Sequence, residues 1–255
     1  MPIYIGNTEL TNLQIGSTTI DKVFVGNTQV YPGYIIPTEL IFISASGTSI
    51  YTYDPLNDAI TLVSTPGYDT FDIAKSNTKV WVQSYPSGDI VEYDYVISPF
   101  SFTYNRTIDL TDSSFTHSLS YIGTTYLLSA RVFSGNTYAT IGRYDISGST
   151  TSLSSLFNLP ANRLITGDVL YDADTTKIIV SSYDSSTSTR YITQYFYDGT
   201  VDYELSGVTG ELRSLYKYNN KIYAINLVGN IYEVTSGGMV STGQDLDIIN
   251  VFGAA

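Results

Sequence analysis

"IVEYD", residues 90–94, is the phrase on which the fold turns. An isoleucine, two spacers and a Tyr-Asp pair recur as Ile50-Tyr51-Thr52-Tyr53-Asp54 and Ile141-Gly142-Arg143-Tyr144-Asp145. Ile192-Thr193-Gln194-Tyr195 is a fourth copy, with Phe196 in place of the acid, and Ile231-Tyr232-Glu233-Val234 is a worn fifth. The copies begin 40, 51, 51 and 39 residues apart. That is the length of a four-stranded propeller blade. Within each copy the Tyr reads as a packing residue and the Asp as a turn-closing one, using its own carboxylate.

Working outward, a strand-like run precedes every copy: "ELIFISAS", "KVWVQSY", "YLLSARVF", "KIIVSSY" and "KIYAINL". Another follows: "AITLVS", "FTYNRTIDL", "TSLSSLF", "VDYELS" and "MVSTG". The second to fifth copies have a further run upstream, "FDIAKS", "HSLSYIG", "GDVLYDAD" and "RSLYKYN". The first copy lacks one. Its counterpart stands at the far end of the chain as "DIINVFG", residues 247–253. The pattern predicts an all-β fold. A five-bladed propeller of four-stranded blades over 38–255 is closed by the C-terminal strand, which removes the open edge of the first blade.

Composition agrees. No window has sustained helical periodicity with caps, and short alternating runs are punctuated by Gly, Asn, Asp, Ser and Pro. The 255 residues include 24 Tyr and 10 Phe, and hydrophobic residues reach 43%, which supports a sizeable β core. Charged residues are only 14%, so Ser, Thr, Asn and Tyr must supply the polar surface. The net charge of −12 disfavours nucleic acid, because a phosphate backbone repels it. Without cysteine there is neither a disulfide framework nor a thiolate metal site. No apolar run reaches membrane-spanning length, so no membrane insertion is expected, and "MPIYIGNTEL" has none of the features of a signal peptide.

The first 33 residues follow another rule. Ile5-Gly6-Asn7-Thr8 returns as Ile15-Gly16-Ser17-Thr18 and as Val25-Gly26-Asn27-Thr28, and Leu10, Ile20 and Val30 keep the same ten-residue step. Gly-Asn and Gly-Ser corners between short apolar runs predict small strands turning at fixed intervals, as in a solenoid or prism. A segment of this size cannot bury enough apolar surface to offset its chain entropy. It becomes stable when stacked on copies of itself or on a scaffold. Ile5, Leu10, Ile15, Ile20, Val25 and Val30 are therefore the expected assembly residues. An extra hairpin lying against the propeller is the competing reading. "YPGYIIP", residues 31–37, reads as a linker.

Lys22-Val23-Phe24-Val25-Gly26-Asn27-Thr28-Gln29-Val30-Tyr31 resembles the repeat phrase of the N-terminal modules of many tailed-bacteriophage virion proteins. The likeness covers residues 1–33. It implies a structural particle protein: a fibre, a decoration or a tail appendage. Other virion proteins would bind through residues 1–33, and a homo-oligomer would form, a trimer in first place. The protein would be made in the host cytoplasm and reside in the virion, lysis replacing a signal peptide.

Candidate chemistry is sparse. Acid–base or nucleophilic catalysis needs a positioned base. The single histidine, His117, has no cysteine partner and reads as a core residue. No nucleophile elbow and no sialidase-type turn is present, so no enzyme activity is expected. Asp172 with Asp174, and Asp245 with Asp247, offer two carboxylates each, against the six to eight oxygens of a calcium site; they read as turns, and neither metal nor cofactor is expected. Trp81, Tyr85, Phe133 and Tyr183 fall in or just after second strands, where the loops share one propeller face. Trp81, in mid-strand, reads as blade packing. Tyr85, Phe133 and Tyr183 are the candidate contacts for a host-surface glycan or protein. A carbohydrate-binding, lectin-like propeller is the alternative function.

Overall fold

In the computed structural model the chain divides into two units, Met1–Thr38 and Glu39–Ala255. The structure describes strand residues 4–5, 8–9, 14–15, 18–19, 23–25 and 28–31, and then 41–255 apart from 46–47, 55–58, 86, 98–99, 112–117, 124, 134–135, 209 and 247–250. His117 and Asp247, together with Leu10 and Ile20 of the expected assembly row, lie outside the described residues.

In the first unit each decapeptide pairs with itself. Tyr4–Ile5 pairs with Thr8–Glu9, Gln14–Ile15 with Thr18–Thr19, and Val23–Val25 with Thr28–Tyr31, all antiparallel. The innermost pairs are Ile5↔Thr8, Ile15↔Thr18 and Val25↔Thr28. Two residues separate the strands each time: Gly-Asn, Gly-Ser and Gly-Asn, the dipeptides that suit a two-residue hairpin.

The second unit is the five-bladed propeller of the sequence reading, and no described residue is helical. From the axis outward, blade 2 runs Asp69–Lys75, Lys79–Tyr85, Ile90–Ile97 and Phe100–Leu110. Blade 3 runs Leu119–Tyr121, Tyr126–Arg131, Thr140–Asp145 and Ser154–Asn158. Blade 4 is Arg163–Asp172, Lys177–Asp184, Thr189–Tyr195 and Val201–Ser206. Blade 5 is Leu212–Tyr218, Lys221–Asn226, Asn230–Thr235 and Gly238–Asp245. Blade 1 takes its inner strand, Val251–Ala254, from the C-terminal end of the chain and continues with Ile41–Ala45, Ser49–Asp54 and Ala59–Ser64. A two-residue strand, Thr150–Thr151, leaves blade 3 and adds itself in parallel to the outer strand of blade 2.

The second strands of blades 2 to 4 are buried on both faces, so each carries an apolar run, at residues 80–82, 127–128 or 178–180, and continues into buried polar residues such as Gln83, Ser129 and Ser181. Side chains alternate across a strand, so Ile41 and Ile43 enter the seam with blade 5 while Phe42 enters the seam with blade 2. Val80 and Val82 likewise face blade 1, and Trp81 faces blade 3. The described core falls into five clusters, one per seam. The repeated tyrosines are seam residues: Tyr53, Tyr93, Tyr144 and Tyr195 are each at most 5% exposed. Asp145, in the turn-closing position, accepts the Ser147 N–H at 2.9 Å.

Candidate functional site

Antiparallel pairing puts the start of each inner strand beside the end of the second: Asp69↔Tyr85, Arg163↔Asp184 and Leu212↔Asn226. The second-to-third turns therefore share one propeller face with the connections that enter the inner strands. Tyr85, Phe133 and Tyr183 belong to that face.

Basic residues sort between the two ends. Every lysine of the propeller (Lys75, Lys79, Lys177, Lys217 and Lys221) stands at the opposite end, at the hairpins joining inner and second strands. Four of the six arginines, Arg131, Arg163, Arg190 and Arg213, stand on the Tyr85 face. Arginine suits this position because its planar, weakly hydrated guanidinium stacks on aromatic rings and forks onto carboxylates. Arg131 lies 4.4 Å from the centre of the Phe133 ring, Arg190 lies 5.7 Å from that of Tyr183, and Arg163 lies 3.4 Å from that of Tyr191. Arg163 also grips Glu204 with both nitrogens, at 2.8 and 3.3 Å. Burial would raise the Glu204 pKa, but Arg163 and the Thr193 hydroxyl outweigh it and hold the carboxyl below its ordinary value.

The three expected contact aromatics thus differ. Phe133 and Tyr183 each have a guanidinium over one ring face, and the Tyr183 hydroxyl bonds Ser188 Oγ at 3.2 Å. Tyr85 is 41% exposed and leans on Phe71, ring centres 5.6 Å apart. It is the most exposed ring of the three. The sequence reading missed the arginines, because they show no spacing until strand directions are known.

The remaining candidates are internally partnered. Trp81 is 2% exposed, stacks on Tyr121 of the next blade at 5.0 Å, and donates its indole N–H to Glu92 Oε2 at 2.8 Å. Asp172 and Asp174 share the Lys217 ammonium of the neighbouring blade. Asp245 ends the outer strand of blade 5. No group of three or more His, Asp or Glu side chains suited to a metal ion occurs among the described residues.

No protein-family model matches the chain, and no curated protein matches it. Solved structures do match. A chain of a nidogen/laminin complex superposes with a TM-score of 0.54 at 8% identity, over 84% of this chain and 97% of that one. The likeness carries the fold alone. A protein of unknown function from Bacteroides caccae and a functionally unknown protein from Desulfotomaculum acetoxidans align at 9% and 11% identity, with TM-scores of 0.45 and 0.46. Each covers 84% of this chain, aligned over 97% and 98% of its own length.

Proposed function

We propose that the protein is a virion structural component, a fibre, decoration or tail appendage, attached through residues 1–33 and displaying its propeller for protein or receptor contact. The observation that carries this reading is the triple hairpin. Tyr4↔Glu9, Gln14↔Thr19 and Phe24↔Gln29 repeat one register at the ten-residue step of the phage-like phrase. An isolated two-stranded hairpin is marginal in water at best, and these strands have two to four residues. Stacking against other virion proteins or further copies of the module, a trimer in first place, would supply the missing burial.

The test is the double substitution Ile15→Asp and Ile20→Asp. Charges placed where burial is expected cost several kcal/mol, and the cost should fall on attachment. The variant should keep the thermal melt of the propeller and be missing from purified particles by mass spectrometry. Normal incorporation would overturn the assignment.

A carbohydrate-binding role is the second reading, favoured by the exposed ring of Tyr85. Base or sugar stacking on such a ring is lost on truncation, so Tyr85→Ala should abolish any signal on a glycan array while leaving particle incorporation intact. An array on which the wild type binds nothing excludes this reading.

A further inference from the structure

The inner strands, or in blade 3 the residue just before it, carry matching residues: Asp72, Ser118, Asp168, Ser214 and Gly253, followed by Ile73, Leu119, Val169, Leu215 and Ala254. The first strand pairings of blades 1, 2, 4 and 5 each shift register beside these residues. There the two carboxyls tie the ring together. Asp72 accepts the N–H of Ile73 on its own strand, at 2.8 Å, and that of Leu119 on blade 3. Asp168 accepts the Val169 N–H at 2.6 Å and, from blade 5, the Leu215 N–H at 2.9 Å and the Ser214 hydroxyl at 3.1 Å. The two side chains hydrogen-bond to each other. Asp72 also lies against the closing strand: a Cβ at Gly253 would stand 1.8 Å from its Oδ1. All five blades thus meet at one carboxyl pair, and both members are at most 1% exposed.

Two carboxyls that hydrogen-bond to each other away from water need a proton between them. We propose that Asp72 and Asp168 form a proton-operated latch on the propeller axis, which ties blades 2 to 5 together under the closing strand while the pair retains its proton and loosens them once the pair is fully ionised. Among the described residues, those that flank the pair on the neighbouring strands carry no positive charge. Blade 1 presents Gly253 and Ala254 to the pair, blade 3 Ser118 and Leu119, and blade 5 Ser214 and Leu215. Arg213, beside Ser214, is tied to Glu211 at 2.5 Å. Further along the strands of the pair itself, Arg163 is tied to Glu204, Asp172 to Lys217, and Asp69 and Lys75 stand at the two ends of their strand. His117 precedes Ser118 and is controlled for by substitution. Burial raises both carboxyls, Asp168 to about 8, against the backbone and Ser214 donors that lower it.

The sign follows from linkage. The native pair holds a proton that the unfolded chain releases above about pH 4, so stability falls as pH rises from there towards about 8. Glu92 and Asp172, buried carboxyls that ion pairs hold below their ordinary values, act in the opposite sense at lower pH.

Urea unfolding of the full chain from pH 5 to 8 tests the latch. The unfolding constant should rise about tenfold per pH unit for each proton retained, and the wild type should show a protonated-carboxyl infrared band at neutral pH. Asp72→Asn, whose amide donates in place of the acid proton, should flatten the slope and remove the band; His117→Gln should leave both unchanged. A wild type with a flat profile overturns the latch. So does a slope that survives in Asp72→Asn or vanishes in His117→Gln. Should Asp72→Asn fail to fold, Asp168→Asn and the wild-type band carry the same decision.

Discussion

Removal of Val251–Ala255 is expected to leave a protein without a cooperative unfolding transition, aggregating at 37 °C. The segment pairs Val251 with Ala45, Gly253 with Ser44 and Ala254 with Ile43, and Phe42 and Ala255 exchange backbone bonds of 2.8 and 2.9 Å. Val251 and Ala254 are at most 2% exposed, in the seam with Tyr216, Ile225 and Leu246 of blade 5. Truncation therefore removes a ladder, half of a seam and the surface under Asp72 together, and bares the edge of Ile41–Ala45 to other chains. Circular dichroism melts and light scattering read the outcome. A truncated protein that melts with the full-length one would mean that the ring is held without its closing strand.

Trp81→Ala should carry the second largest effect. The ring is buried between blades 2 and 3, stacked on Tyr121, and its N–H reaches Glu92. Truncating a buried tryptophan costs about 3–5 kcal/mol, which for a domain of this size lowers the melting temperature by roughly 6–20 °C. Glu92 keeps Lys79, Asn105 and Arg106, so Trp81→Phe, which loses the indole donor while keeping a stackable ring, should cost less than half as much. Equal losses for the two variants would place the energy in the hydrogen bond and not in the packed ring.

The architecture was readable because two strands of each blade have compulsory chemistry. A second strand buried on both faces must carry an apolar run, and in four of the five blades the third strand keeps the tyrosine that reaches a seam, the fifth having Val234 there. Inner strands are less uniform, from Leu119–Tyr121 to Arg163–Asp172, and their ends did not show. The parallel Thr150–Thr151 strand has two residues and no periodicity to detect. The contact face was legible in its aromatics and opaque in its arginines, since a guanidinium over a ring joins residues that sequence spacing does not relate. Asp72 and Asp168 sat in plain view in "FDIAKS" and "GDVLYDAD". Their meeting requires blades 2 and 4 to face each other across an axis, which no single repeat contains.

The split first blade also sets an order of events during synthesis. Blades 2 to 5 are built from neighbouring hairpins, whose loops close at small entropic cost, whereas Ala45 must wait for Val251. At ordinary translation speeds the intervening chain takes roughly 10–40 s to emerge. Throughout that interval Ile41–Ala45 exists without its inner partner, a strand template open to every nascent copy on the same messenger. Ring closure therefore waits for the synthesis of Val251, and it is the stage at which chaperones or crowding of polysomes would govern yield.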